Sequence, residues 1–280
     1  MIETLSPMGH VRKVLLASDG SAFTSGARRV ALATAKAAGA KLYAMTMVYV
    51  NPEYAALAPE VVHKAEQEAW WHLKSVGARA DELGVEHELL VINGEDPSHE
   101  IVEQARALGA DVIVVGQQGR RGLARLMVGD ATAKVIGQSP CPVIVAPKDA
   151  EMWDKRVLVG VDGSQFSDKA AVAASNLAKA SGKPVAVVSA LVPAHSEARR
   201  QESRDAVDRT VNALRDVGLE ATGLTAEGEA DRVIVRTAEE QDADLIVLGA
   251  FGRTGYGRAV LGSVTERVIG NAHCPVLVVI

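Results

Sequence analysis

Apolar residues fall along this chain in short unbroken runs: VLLA at 14–17, VIVVG at 112–116, VLVGV at 157–161 and LIVLG at 245–249. Between them lie longer stretches in which apolar positions recur every three or four residues among charges. An unbroken run of four or five apolar residues reads as a strand covered on both faces, whereas recurrence at three and four reads as an amphipathic helix. On this basis the first helix starts near Ala22, the second spans Glu60 to Leu83, and the third spans Pro97 to Leu108. Further along, corresponding helices start near Phe166, His195 and Ala230. Strands alternating with helices predict parallel sheets with right-handed crossovers, an α/β fold.

The pattern occurs twice. An apolar strand ending in Asp-Gly-Ser begins at Lys13 and again at Arg156, which places the aspartates at Asp19 and Asp162, 143 positions apart. Near the end of each copy the offset is 133: Gly116, Gly119, Gly129 and Cys141 correspond to Gly249, Gly252, Gly262 and Cys274. The first copy therefore carries ten extra residues, expected mostly in the Pro-punctuated loop VNPEYAALAPE before its second helix. Two domains are predicted, 1–149 and 150–280, divided in the polar stretch PKDAEMWDK.

Composition narrows the function classes. The chain is 48% hydrophobic and 23% charged, as a globular protein is. Its net charge of -5 divides evenly, with 15 basic and 17 acidic residues in 1–149 and 15 and 18 in 150–280. Neither half is a basic block, so nucleic-acid binding is not expected. The apolar runs are too short to span a bilayer, and MIETLSPMGHVRK does not resemble a secretory signal. Two cysteines at equivalent repeat positions predict buried free thiols and a cytoplasmic location rather than a disulfide framework.

In an open parallel sheet, ligands bind beyond the carboxyl ends of the strands where the winding reverses. If the first and fourth strands are neighbours there, the Asp-Gly-Ser turn and the glycine loop face the same crevice. Glycines let a backbone approach a ligand closely, and a helix starting near Ser263 presents open amides and a positive dipole end. Gly252, Gly262, Ser263 and the Val264 amide thus form a candidate phosphate cradle. The plainer readings are a tight connection without a ligand for the loop and a turn-forming residue for Asp162. Arg253 and Arg258 are candidate phosphate contacts, or solvated or paired loop arginines. Trp70 and Trp71, beside His72, read as packing and interface residues of a long helix, and Glu95, Asp96 and His99 as capping around Pro97 rather than a metal site. The chain lacks a GxxxxGK[ST] loop, a G-x-S-x-G elbow and an H-E-x-x-H helix, so no catalytic residue is assigned.

These motifs together resemble the universal stress protein family in its tandem form, over essentially residues 11–280. The second half reproduces that family's ATP-binding signature, G-x2-G-x9-G-[ST], as Gly249, Gly252, Gly262 and Ser263. The resemblance implies two repeated open parallel sheets of order 3-2-1-4-5, like those of adenine nucleotide alpha hydrolases, packed as an intramolecular pseudo-dimer through PVIVAP and PVLVVI. It also implies ATP as cofactor, with a divalent metal such as Mg2+ of unassigned ligands, bound at the C-terminal domain. Asp162 and the backbone around Ala190 take the nucleoside end, although the family's frequent Val is Ala190 here. A nucleotide-responsive stress regulator follows, with a homodimer left open; the alternatives are a slow ATP hydrolase or adenylyl-transfer enzyme and a nucleotide-free scaffold.

The first half departs from the signature, with Asp130 in place of Ser263. Two like unit charges about 4 Å apart repel by roughly 4 kcal/mol at an effective dielectric near 20. Asp130 is expected to oppose a triphosphate, to cap its helix, or to pair with Arg120, Arg121 or Arg125. The first pocket is therefore expected to be empty or to take a different ligand.

Overall fold

The computed structural model describes residues 9–51, 57–117, 129–253 and 261–280. They divide into two compact units, the first within 11–152 and the second within 153–280. The first unit runs β1 (Lys13–Ala17), a 3-10 turn (Ala22–Thr24), α1 (Ser25–Ala38), β2 (Lys41–Tyr49), α2 (Pro59–Leu83), β3 (His87–Gly94), α3 (Pro97–Leu108), β4 (Val112–Gly116), α4 (Asp130–Gln138) and β5 (Val143–Ala146). The second runs β6 (Val157–Gly160), α5 (Gln165–Ser181), β7 (Val185–Leu191), α6 (Glu197–Asp216), β8 (Ala221–Glu227), α7 (Ala230–Glu240), β9 (Leu245–Gly249), α8 (Ser263–Asn271) and β10 (Val276–Val279).

Within each unit every strand pair is parallel, in the order β3-β2-β1-β4-β5 and β8-β7-β6-β9-β10. The central strands are the unbroken apolar runs. Leu15, Leu16, Ile113, Leu158, Leu245 and Ile246 are essentially inaccessible. Each such side chain contributes roughly 1.5–3 kcal/mol on burial. The outer strands β3 and β8 are only partly covered, and β8 reads ATGLTAE, with mostly exposed positions. In both units the first strand lies beside the fourth, which fixes the winding reversal and the crevice it creates.

Small residues set how closely the helices approach the sheet. α1 buries Gly26, Ala27, Val30, Ala31 and Ala35. A Cβ on Gly26 would lie 1.8 Å from the Pro147 carbonyl oxygen, so only glycine fits there. The extra length of the first copy is placed differently from the expectation. α2 has 25 residues and α6 has 20, so five of the ten extra residues lengthen the helix rather than the loop before it.

Trp70 and Trp71 lie off the buried stripe of α2. Ala69, Leu73, Val76 and Ala80 form the buried stripe of α2, whereas Trp71 stands on another face and is 78% exposed. Both cysteines are free, Cys141 buried and Cys274 half-buried. Burial pushes the Cys141 thiol up to about 11 and the Cys274 thiol up to about 12. Among the described residues no helix is long and apolar enough to cross a membrane.

Candidate functional site

In the second unit β6 delivers the chain into Val161, Asp162, Gly163 and Ser164. Gly163 has φ +76°, a left-handed turn that reverses the chain into α5. Asp162 Oδ1 accepts from the Ser164 amide at 2.9 Å, and Ser164 caps α5 by accepting from the Ser167 amide at 3.2 Å. The turn-forming role of Asp162 is therefore present. Its other oxygen faces the glycine loop: Oδ2 accepts from the Arg253 amide at 3.3 Å, and a Cβ on Gly252 would lie 3.1 Å from it. Arg253 Nε donates to the Asp162 carbonyl at 2.5 Å, while its guanidinium pairs with Glu202 on α6. Arg253 is thus held at the Asp162 end of the crevice. Arg258 lies outside the described residues.

Gly249 ends β9 for a packing reason. A Cβ there would meet Phe166 at 2.7 Å, and Phe166 also stacks edge-on against Phe251, with ring centroids 5.2 Å apart. The Gly249 carbonyl accepts from Thr265 Oγ1 at 2.9 Å, which ties the start of α8 to the end of β9. Gly262 is the N-cap of α8 and supplies no side-chain cap; its carbonyl takes the first helical bond, from Glu266, at 2.9 Å. The amides of Ser263, Val264 and Thr265 precede that bond and have no intrahelical acceptor. Ser263 is exposed, Val264 half-buried, and Ala190 half-buried next to the last residue of β7.

In the first unit the equivalent positions converge on a cavity of about 880 Å³. Asp19, Met47, Gly116, Gly129 and Asp130, the counterparts of Asp162, Ala190, Gly249, Gly262 and Ser263, all line it. Asp130 does not cap α4. Gly129 holds the N-cap position, and the Asp130 side chain, 95% exposed, pairs with Lys134 at 3.7 Å. It is the first helical residue, one position too late for its oxygens to cap. The pairing expected with Arg120, Arg121 or Arg125 lies outside the described residues, as does Gly119.

The floor of this cavity holds residues to which sequence reading gave no role. Ser18 Oγ lies 2.9 Å from Thr24 Oγ1 and 2.9 Å from His72 Nε2. Asp19 Oδ1 accepts from the Ser21 amide at 2.9 Å and from Thr24 Oγ1 at 3.4 Å. Helical spacing offered a signal, since Ala65, Glu68, Ala69 and His72 recur at three and four residues and share the cavity-facing side of α2. The capping expectation holds at α3, where Asp96 Oδ1 accepts from the Ser98 amide at 2.8 Å and from the Ser98 hydroxyl at 2.5 Å, and the hydroxyl bond above all lowers the Asp96 pKa.

A second unanticipated device is repeated. Asp111 accepts from the Arg12 and Lys13 amides at 2.8 and 2.9 Å. Its counterpart Asp244 accepts from the Asp154, Lys155 and Arg156 amides at 2.7, 3.0 and 3.1 Å. Each aspartate clasps the entry to the first strand of its unit.

The model of the universal stress protein family matches the chain twice, over residues 10–147 and 154–279. Universal stress protein MJ0531 of Methanocaldococcus jannaschii is 37% identical over 145 residues, 47% of this chain and 85% of that protein. A universal stress protein of Mycolicibacterium smegmatis is 28% identical over 216 residues, 71% of this chain and 72% of that protein. The crystal structure of a universal stress protein from Archaeoglobus fulgidus DSM 4304 covers 97% of each chain with TM-score 0.77 and 20% identity, a likeness of fold. With two family matches over nearly its whole described length and the same sheet built twice, the chain belongs to the universal stress protein family, with two copies of its domain in tandem.

Proposed function

We propose that the chain is a nucleotide-responsive stress regulator that binds ATP in its second unit. The observation that carries this reading is the start of α8, where a glycine N-cap leaves the Ser263, Val264 and Thr265 amides open at an exposed helix end. Such an end favours an anion by both hydrogen bonding and dipole. The Ser263 hydroxyl adds a donor to a phosphate oxygen. Asp162 takes the ribose end: a carboxylate offers about four acceptor sites, and the Ser164 and Arg253 amides occupy two. Ala190 lies beside the adenine. Arg253, committed to Asp162 and Glu202, orients the nucleoside end and leaves the triphosphate to the amides.

The residues do not by themselves form a metal centre. Among the described residues no group of three or more His, Cys, Asp or Glu side chains is assembled to hold an ion. Mg2+ would therefore enter with the phosphates, supplying charge neutralisation to the bound tail.

The test is calorimetric titration of the full chain with MgATP, ADP, adenosine and inorganic triphosphate. One ATP per chain is expected, bound more tightly than adenosine because the α8 amides contribute. No saturable ATP binding, or adenosine binding as tightly as ATP, would refute the reading.

A further inference from the structure

We propose that the cavity of the first unit is a second ligand site, for an amphipathic small molecule without an anionic group. Its occupant has a neutral or cationic hydrogen-bonding head and an apolar body. This proposal is independent of the nucleotide reading of the second unit.

The volume, about 880 Å³, lies within the roughly 300–1,000 Å³ of small-molecule sites. The head is recognised by the Ser18–Thr24–His72 cluster, which supplies hydroxyl and imidazole groups able to donate or accept. The fold does not require this cluster. In the second unit Val161 stands where Ser18 stands and Ala206 where His72 does, with the Arg253 guanidinium over the turn: a Cβ on Gly20 would meet His72 Cγ at 3.1 Å, and one on Gly163 would meet Arg253 Nη2 at 2.6 Å and Ala206 Cβ at 3.7 Å. The same turn is built with φ +73° at Gly20 and +76° at Gly163. The first unit thus carries a hydroxyl and an imidazole at the cavity floor where the second has Val161, Ala206 and the Arg253 guanidinium.

The body is accommodated by Met47, Val48, Ala65, Ala69 and Ile101. Methionine adapts its shape to irregular apolar ligands. The apolar wall continues beyond the cavity, since Tyr49 and Ala65 also line an adjoining cleft of about 280 Å³ with Val61 and Val62. Among the described residues the charge balance of the lining disfavours an anion. The described lining carries the carboxylates Asp19, Glu68, Glu95, Asp96 and Asp130, and the cation Lys134 is paired with Asp130.

Three probes sharing one environment-sensitive fluorophore test this on the full chain: dansylamide (neutral), dansylcadaverine (cationic) and dansylglycine (anionic). The first two are expected to bind saturably with enhanced, blue-shifted emission, and dansylglycine at least about ten-fold more weakly. Saturating MgATP is expected to leave the bound neutral probe in place. Ala65→Phe, which fills the cavity from a half-buried position, is expected to abolish binding. The double variant Ser18→Val, His72→Ala installs the pair that the second unit already folds with, and is expected to weaken the neutral probe at least about five-fold. Absence of saturable binding, dansylglycine binding as tightly as dansylamide, full displacement by MgATP, or unchanged affinity in both variants would each overturn the proposal.

Discussion

Placing a carboxylate at Ser263 isolates the electrostatic core of the nucleotide reading. Ser263 is the first helical residue of α8 and is exposed. In the first unit its counterpart Asp130 has Lys134 four residues on, at 3.7 Å. In the second unit the cation at that spacing, Arg267, is held instead by Asp231 at 3.0 Å. The Ser263→Asp carboxylate would therefore meet a bound triphosphate without the i+4 cation that Asp130 has in the first unit. Repulsion at about 4 Å amounts to roughly 4 kcal/mol at an effective dielectric of 20 and about 1 kcal/mol in bulk water. For an exposed helix end the lower part of that range applies, about 1–2 kcal/mol, or a five- to thirty-fold loss of ATP affinity. Titration calorimetry at about 0.15 M salt reads it, and the loss should shrink at higher ionic strength. Ser263→Asn, polar but uncharged, should stay within about two-fold of the parent. Thermal stability should not fall in Ser263→Asp, because a negative charge in the first turn favours the helix dipole. ATP affinity unchanged in Ser263→Asp, or lost equally in Ser263→Asn, would remove the phosphate cradle from consideration.

Other consequences concern the scaffold. Gly26→Ala would set a methyl 1.8 Å from the Pro147 carbonyl oxygen and 3.0 Å from that of Lys148, both backbone atoms. A cost of about 1–3 kcal/mol in urea unfolding is expected, and an unchanged midpoint would refute the close approach. Asp244→Ala removes the acceptor of three backbone amides and should cost about 1–2 kcal/mol, with Asp111→Ala behaving alike; a neutral result in both would show the clasps to be passive. The raised thiol pKa values make stability fall in alkali. Above the ordinary value of 9.0 the unfolded chain releases its thiol protons while the folded chain keeps them up to about 11 at Cys141 and about 12 at Cys274. The unfolded state then binds fewer protons, so stability declines from about pH 9 upward. Urea midpoints from pH 8 to 10 should decline less in Cys141→Ala, Cys274→Ala than in the parent, and identical slopes would contradict the burial effect.

What the sequence revealed was local. α3 spans Pro97–Leu108, the bounds read from the chain, because Pro97 opens it and Gly109 closes it with φ +61°. α6 starts at Glu197 rather than near His195 because Ser196 is its N-cap, accepting from the Arg199 amide at 3.4 Å. α1 starts at Ser25, not Ala22, since the first three residues adopt a 3-10 turn. The glycine frame and the two aspartates were legible because backbone geometry dictates them within a few residues. Their surroundings were not. The Ser18–His72 contact spans 54 positions and the Arg253–Glu202 pair spans 51, and no periodicity within one element encodes either. Apolar patterning marked Trp70 and Trp71 as packing and interface residues, and only their angular position on α2 determines that Trp71 faces outward.

The tandem repeat acts as an internal control that separates scaffold from site. Positions that build the sheet and its connections are chemically the same in both copies. Asp111 and Asp244 clasp the first strand, and Thr132 and Thr265 bind the carbonyls of Gly116 and Gly249 at 3.2 and 2.9 Å. The amides of Gly129 and Gly262 reach back to the carbonyls of Gln117 and Ala250 at 3.3 and 3.0 Å. Some positions that line the crevice are also shared, Asp19, Gly116, Gly129 and Thr132 matching Asp162, Gly249, Gly262 and Thr265, whereas others differ in kind: Ser18 against Val161, Met47 against Ala190, His72 against Ala206, Asp130 against Ser263. An imidazole and a hydroxyl appear together in the first unit, and a carboxylate stands at the first position of α4 where α8 has a hydroxyl. On the proposed reading the two units, with one scaffold and different crevice residues, take different ligands, so binding at one should persist when the other is mutated.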